Sequence, residues 1–351
     1  MDTIPINGSH QEVESLHAEL IHRRDDLRTA TRGGRSDELK RLLGEVDEAL
    51  HRLEHDSFGV CDRCHGEVEP EALRSDPLRT ICLECLSDSE RKFLEADLEL
   101  AAEFQDGLIP RGELSVRGWQ AYVHSDPAGA VGGDFADLIE TPDRGPVHFV
   151  VGDVSGKGVA AALFGSHLLA LIASSTGSHR RLPEMVASVN RLFTAASPTR
   201  LFATLVWGMV DASGRGELVN AGHLPVMIVG RNGCRRIASS GVPVGIFAGA
   251  RYESTPFTLA DGEQLVLVTD GITESTDDRD HEYGVEGLWS LVSAGDLEIS
   301  PEEAVSRYLD DVERHRDGMA QHDDVTVMVL RRDSGGQADG PVFKPSVSKA
   351  L

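Results

Sequence analysis

The feature that most constrains this chain is an aspartate set where an apolar run meets a glycine or a turn, and it recurs four times. Gly132-Gly133-Asp134-Phe135-Ala136-Asp137 holds the first, and Val150-Val151-Gly152-Asp153-Val154-Ser155-Gly156-Lys157-Gly158 the second. The third is Asp270 in Leu267-Val268-Thr269-Asp270-Gly271. The fourth is the pair Asp323-Asp324 ahead of Val325-Thr326-Val327-Met328-Val329-Leu330. An apolar β-type run beside an acid and a turn is how a sheet holds carboxylates at its edge. Carboxylates gathered in one place repel unless a cation sits between them, and hard oxygen ligands select Mg²⁺ or Mn²⁺.

At 351 residues the chain is long enough for two domains. Its 58 acidic residues against 34 Lys and Arg give a net charge of -24, which argues against direct nucleic-acid binding and against an anionic membrane surface. No apolar run is expected to reach the roughly 18 residues of a spanning helix. Met1-Asp2-Thr3-Ile4-Pro5 lacks a basic region followed by an apolar core, so the expected location is the cytoplasm. Four of the five cysteines fall in one cluster, which in such a chain favours metal over disulfides.

Residues 1–9 are expected to be disordered. From His10 a helical pattern carries Val13, Leu16, Leu20 and Leu27, and Gly33-Gly34 breaks it. Ser36-Asp37-Glu38 then starts a second helix, whose Leu39, Leu42, Leu43, Val46, Leu50 and Leu53 form one stripe. The pair reads as an antiparallel helical hairpin. Cys61-Asp62-Arg63-Cys64 and Cys82-Leu83-Glu84-Cys85 follow, with 17 residues between them, a spacing that fits a closed, structural zinc site. His65 is surplus to that ligand set and reads as a turn residue.

Leu53-Glu54-His55-Asp56-Ser57-Phe58-Gly59-Val60-Cys61, with Pro77-Leu78-Arg79-Thr80-Ile81 before the second cysteine pair, resembles the DksA/TraR zinc-finger family over about residues 10–86. That resemblance implies a coiled-coil hairpin carrying a four-cysteine finger and, in some members, binding in the secondary channel of RNA polymerase. The tip here, Thr29-Ala30-Thr31-Arg32-Gly33-Gly34-Arg35, is basic and lacks the aspartates of polymerase-acting members.

Residues 88–109 read as a third helix, begun at Ser89-Glu90 and ended by Pro110, within a linker segment 87–110. Leu94, Leu98, Ala101 and Leu108 mark one face, and Phe93, Leu100 and Phe104 a second. Two apolar faces fit a helix held between domains or paired with a second copy of itself. Beyond it, strands are expected at 116–124, 147–153, 202–210, 216–220, 225–229, 264–269 and 324–331. Helices are expected at 159–174, 183–196, 285–294 and 301–316. Short turns between consecutive strands make this α+β, with antiparallel pairing. The tail 334–351 reads as unstructured.

Val131-Gly132-Gly133-Asp134-Phe135, Gly152-Asp153-Val154-Ser155-Gly156-Lys157-Gly158, Thr269-Asp270-Gly271 and Asp323-Asp324-Val325-Thr326 occur in the order of the SpoIIE-like branch of the PPM (protein phosphatase type 2C) superfamily. Phe202-Ala203-Thr204-Leu205 and Asn220-Ala221-Gly222-His223-Leu224-Pro225 match that branch too. The resemblance spans roughly residues 95–331 and places a phosphatase domain at 111–333. It implies a β-sandwich of two antiparallel sheets flanked by helices. It also implies two Mg²⁺ or Mn²⁺ ions, with Asp153 bridging, the Val154 carbonyl and Asp134 close by, and Asp270 and Asp323 completing the set. The resemblance aligns Asp323 with the ligand, while the sequence alone leaves Asp323 and its neighbour Asp324 both open. Two such ions about 4 Å apart acidify a shared water and neutralise phosphoryl oxygens, so no nucleophilic side chain is required.

The resemblance further implies a serine/threonine phosphatase acting on a STAS-domain anti-sigma-factor antagonist, dimerised through the linker helix. The rival reading is a polymerase-binding regulator with a degenerate phosphatase domain. Asp137, Asp143, Asp211, Asp277 and Asp278 read as solvated or capping acids, His223 as a turn or supporting residue, and Cys234 as inert. Ser155 stands where some relatives have a histidine, so the proton donor to the leaving group is unassigned.

Overall fold

The computed structural model describes residues 17, 20, 21, 23–25, 27, 28 and 37–332, apart from 56, 70, 71, 74, 75, 142–144, 178, 179, 197–200, 232 and 295–298. The expectations for residues 1–9, for the basic hairpin tip, for Asp143 and for the tail 334–351 lie outside the described residues. The chain divides into two compact units, Met1–Asp97 and Leu98–Leu351.

In the first unit, helix is present at the described residues between 17 and 28, and α1 runs from Asp37 to Glu54. Val46, Ala49 and Leu50, three and four residues apart, form the buried stripe of α1 and share a core with Leu20, Phe58, Val68 and Leu73. Each such aliphatic side chain taken from water contributes about 1.5–3 kcal/mol. The core is small, and Cys61 and Cys82 are part of it. The backbone of Val60 bridges that of Glu67, which closes the first cysteine turn. A short 3-10 turn, Leu83–Cys85, holds the second.

Helix α2 runs from Asp88 to Leu108, and the division between the units falls within it. Its cap is Ser87 rather than Ser89. The Glu90 amide donates to Ser87 Oγ at 3.3 Å, and the Ser87 amide donates to Glu90 Oε2 at 2.8 Å, a capping box that starts the helix ahead of the expected Ser89. Gln105 is the buried residue of α2, whereas Phe93, Leu100 and Phe104 are exposed.

The second unit is a sandwich of two antiparallel sheets, as expected. One sheet has the order β1-β2-β11-β10-β7-β8 and the other β3-β4-β5-β6-β9. The strands are β1 (Gly112–Val116), β2 (Trp119–Asp126), β3 (Asp134–Glu140), β4 (Val147–Val154), β5 (Ala203–Val210), β6 (Arg215–Ala221), β7 (Val226–Gly230), β8 (Gly233–Ile237), β9 (Thr255–Thr258), β10 (Gln264–Val268) and β11 (Val325–Arg332). The expected strand 116–124 is in fact the end of β1, the turn Arg117-Gly118 and most of β2. Strands β3, β8 and β9 lie outside the strand ranges expected from the sequence.

Three apolar layers follow from this order. Phe149, Val151, Val206 and Leu218 of one sheet face Val123, Ile228, Leu267 and Met328 of the other. On the outside of the five-stranded sheet, Phe135, Val150, Leu205 and Trp207 meet α3 (Gly158–Thr176) and α4 (Leu182–Ala196). On the outside of the six-stranded sheet, Val266, Val268, Val327 and Val329 meet α6 (Gly284–Ser293) and α7 (Pro301–Arg316), with a short α5 at Asp270–Thr273. Strands covered on both faces read as unbroken apolar runs, which is why β4, β5, β10 and β11 were visible in the sequence.

The expectation that no apolar run reaches the length of a spanning helix does not hold. Helix α3, 19 residues long, is apolar enough by length and composition to cross a membrane. Its Ala161, Leu168 and Ile172 are buried in the layer shared with β4, β5 and α4, as in the core helix of a globular unit.

Candidate active site

The sandwich brings the four aspartate motifs to one end of both sheets. Asp134 opens β3 and lies directly opposite Asp153, near the end of β4, in the antiparallel register. Like charges placed opposite each other destabilise a strand pair. Asp270 follows β10 as the first residue of α5, and Asp323 precedes β11, the strand paired with β10. The two strand pairs belong to different sheets, so cross-sheet hydrogen bonds are needed to bring the acids together.

Thr269 and Asp324 supply those bonds. Thr269 Oγ1 donates to Asp134 Oδ2 at 2.7 Å and accepts from the Thr326 amide at 2.9 Å. Asp324 Oδ2 accepts from the Gly133 amide at 2.6 Å, and its Oδ1 from the Ala128 amide at 2.8 Å. Asp324 is thus committed to backbone donors of the loop that presents Asp134. Asp323 is more open, its side chain 39% exposed, and stands 3.3 Å from the Lys157 ammonium. That ammonium also donates to the His322 carbonyl at 2.6 Å, so Lys157, though largely exposed, is tied to the Asp323 segment.

The electrostatics match a site built for cations. Burial, with Asp270, Asp323 and Asp324 nearby, pushes the Asp153 carboxyl up to about 7. Burial and then Asp153 hold Asp134 well above the usual carboxylate range. Burial and Asp323 raise Asp270, and burial with Asp270 and Asp323 raises Glu274. Mutual repulsion of this kind is relieved by a divalent cation, and the all-oxygen donor set fits Mg²⁺ or Mn²⁺.

The backbone leaves room for it. A Cβ on Gly133 would lie 2.7 Å from the Val154 carbonyl oxygen and 3.2 Å from Asp153 Oδ1, so any side chain there would intrude beside both. Gly156 and Gly158 take φ of 94° and 73°, the left-handed turn that carries β4 away from Asp153 into α3. Ser155 Oγ is engaged, accepting from the Phe202 amide at 3.1 Å.

Beside the acids, Thr204 lies opposite Asp153 on β5 and pairs with His223 Nδ1 at 2.7 Å. Burial pushes the His223 imidazole down to about 4, so it stays neutral as a supporting group. Gln105 of α2 reaches the same loop. Its Nε2 donates to the Gly132 carbonyl at 2.7 Å, and its Oε1 accepts from the Gly132 amide at 3.1 Å. Sequence reading missed Thr269, Thr326, Asp324 and Gln105 as supporting residues, because each acts on a partner far away in the chain.

The remaining acids divide. Asp211 and Asp277 accept from backbone amides of their own turns, as read. Asp137 departs from its reading as a solvated acid: it sits on β3, and burial raises its carboxyl to about 6.

In the first unit, ligand atoms of Cys61, Cys64, Cys82 and Cys85 all lie within 4.8 Å of one another, as a tetrahedral ion requires. Backbone donation from Cys64 and Cys82 holds Cys61 down to about 6, while the neighbouring thiols of Cys64 and Cys82 push Cys85 up to about 12. The four sulfurs cannot all ionise without a cation. His65 has φ of 57°, a turn conformation, and is not in the ligand set.

Comparison with known proteins agrees with this geometry. The family model for stage II sporulation protein E (SpoIIE) matches residues 143–333. Protein IcfG of Synechocystis sp. is 26% identical over 272 residues, which cover 68% of this chain and 42% of that protein. Phosphoserine phosphatase RsbU of Bacillus subtilis is 25% identical over 244 residues, covering 68% of this chain and 71% of RsbU. The chain thus spans less than half of IcfG. Among solved structures, the SiaA-PP2C domain of Pseudomonas aeruginosa superposes with a TM-score of 0.60 at 18% identity, covering 70% of this chain and 98% of that domain. The PP2C phosphatase domain of SpoIIE with a fragment of its regulatory domain, from Bacillus subtilis, gives 0.53 at 19%, covering 63% and 64%. Aspartates joined across two sheets, the sandwich that holds them and a match over more than half of its length establish that this chain belongs to the SpoIIE family.

Proposed function

We propose that the chain is a metal-dependent protein phosphatase that hydrolyses phosphoserine and phosphothreonine. The observation that carries this reading is the group of acids brought to one end of the sandwich, each raised by burial and by its neighbours. Asp153, the Val154 carbonyl and Asp134 would hold divalent ions from the five-stranded sheet, and Asp270 and Asp323 from the other. When bound, Mg²⁺ or Mn²⁺ supplies the charge that neutralises phosphoryl oxygens and acidifies water for in-line attack on phosphorus. Thr269 aims Asp134, and its hydrogen bond offsets part of the upward shift that burial and Asp153 impose. Asp324 fixes the Gly132-Gly133 loop. Lys157 balances Asp323 and lies where a phosphate would approach. The resemblance to SpoIIE-like enzymes supports a STAS-domain antagonist as the substrate and the cytoplasm as the place of action.

The four cysteines are proposed to hold one structural zinc ion. The exposed Phe93, Leu100 and Phe104 of α2, spaced seven and four residues apart, support pairing of that helix with a second copy. Gln105, on the same helix, grips Gly132, so the position of α2 would set the loop that carries Asp134. The test of the activity is phosphate release from a phosphoserine peptide with Mn²⁺ titrated. Turnover should require the metal and vanish in Asp153→Asn. Metal-independent turnover, or full activity in that variant, would refute the reading.

A further inference from the structure

Charge is segregated along this chain. Between Val154 and Tyr252, a stretch of 99 residues, the acids are Glu184, Asp211 and Glu217, against ten Lys and Arg. The other 55 of the 58 acidic residues lie outside it. The stretch runs through both sheets, and its segments 155–163, 190–193 and 244–251, with Phe202, hold no acid and carry exposed apolar side chains. Val159 and Leu163 are exposed on the first turns of α3, Phe202 precedes β5, and Ile246 and Phe247 sit in a loop ahead of β9. Leu163 is 61% and Phe247 62% exposed, far more than a packing role needs.

These segments are tied to the centre and to each other. The Ser155 amide donates to the Phe202 carbonyl at 2.8 Å, two residues from Asp153. Ala203 and Val244 exchange backbone hydrogen bonds of 2.8 Å in both directions. Asn190, fully buried, donates to the Phe247 carbonyl at 2.8 Å and accepts from the Gly245 amide at 2.9 Å. The loop is therefore pinned from within while its apolar side chains face outward. Lys157, Arg191 and Arg251 are exposed on the same segments.

Resting on the phosphatase reading, we propose that this face docks the phosphoprotein substrate and selects phosphoserine flanked by apolar side chains. A chain of net charge -24 repels acidic phosphoproteins over most of its surface. Segments without carboxylates of their own, carrying exposed Lys157, Arg191 and Arg251, lower that repulsion where the substrate must approach. Their apolar side chains then gain from burial against apolar neighbours of the phosphoserine, which a small phosphate ester does not provide.

The test compares two phosphoserine peptides, one flanked by Leu and Val and one by Gly and Ser, together with para-nitrophenyl phosphate. The full-length wild type should show a kcat/KM about tenfold higher on the apolar-flanked peptide. In Leu163→Ser/Phe247→Ser that ratio should fall towards one, with para-nitrophenyl phosphate turnover unchanged. Equal kcat/KM on the two peptides in the wild type, or an unchanged ratio in the variant, would overturn the inference while leaving the phosphatase reading standing. No turnover of para-nitrophenyl phosphate would remove the phosphatase reading and this inference with it. If the variant instead turns a dimer into a monomer without altering the ratio, the face is a self-interface and the inference fails.

Discussion

The cysteine cluster and the carboxylate cluster pose the same electrostatic problem in two ways. Each gathers groups that cannot all be ionised without a cation. The cysteines come from one short segment, 61–85, and their ligand atoms lie within 4.8 Å of one another. The acids are drawn from positions 134 to 323, across two sheets, and among the described residues no three of them reach that spacing. A closed set of soft ligands saturates one ion and leaves no position for a substrate. A looser set of hard ligands leaves room for water and a phosphate. One cluster suits stability and the other chemistry.

The comparison breaks most sharply through single substitutions. Asp153→Asn or Asp270→Asn should lower turnover at saturating Mn²⁺ by a thousandfold or so, several kcal/mol of transition-state stabilisation, while thermal stability holds or rises. Cys61→Ser with Cys64→Ser should do the reverse, unfolding the first unit by circular dichroism and sparing most turnover of a small aryl phosphate. If both sets of variants gave the same phenotype, the division of labour would be wrong.

A finer contrast lies within the adjacent acids. Asp323→Ala should cost activity and little stability. Asp324→Ala orphans two backbone amides and should cost about 1–3 kcal/mol in a denaturant titration. An exchange of these two outcomes would reassign the metal ligand.

The pH dependence of stability gives a further test. Asp153 is raised from its usual value near 3.8 to about 7. A raised acid stabilises the fold below its unfolded value, and that contribution is lost as pH rises through the folded value. With metal removed by chelator, the thermal midpoint should therefore fall between pH 4 and 7, and Asp153→Asn should flatten that fall. Restoring Mn²⁺ should recover the loss at pH 7.

The smallest expected effect is at Thr269. Replacing it with Val removes the bond to Asp134 and should cut turnover roughly tenfold, with a higher Mn²⁺ requirement. Unchanged Mn²⁺ dependence would mean that Thr269 only joins the sheets.

What the sequence revealed follows from the same physics. The cysteine pairs were legible because their spacing is local. Helices α3, α4 and α7 were legible from their apolar patterns. The overlooked strands β3, β8 and β9 and the misplaced β1 are the four edges of the two sheets. An edge strand has one neighbour and fewer covered positions, so Asp134–Glu140, Gly233–Ile237 and Thr255–Thr258 carry acids, arginines and a proline in place of an apolar run. The aspartate motifs stood out because each is short and local in the sequence. Their supports did not, because Thr269, Asp324 and Gln105 act across 135, 191 and 27 residues of chain.

The central claim is that the acids at the end of the sandwich form a shared site for divalent ions. Electron paramagnetic resonance of Mn²⁺ titrated into the full-length, zinc-retaining protein tests it most directly. The account predicts that the free-ion signal is suppressed until about two Mn²⁺ are bound per chain, and that Asp153→Asn binds one or fewer. The same uptake in wild type and Asp153→Asn, or no uptake in either, would contradict it.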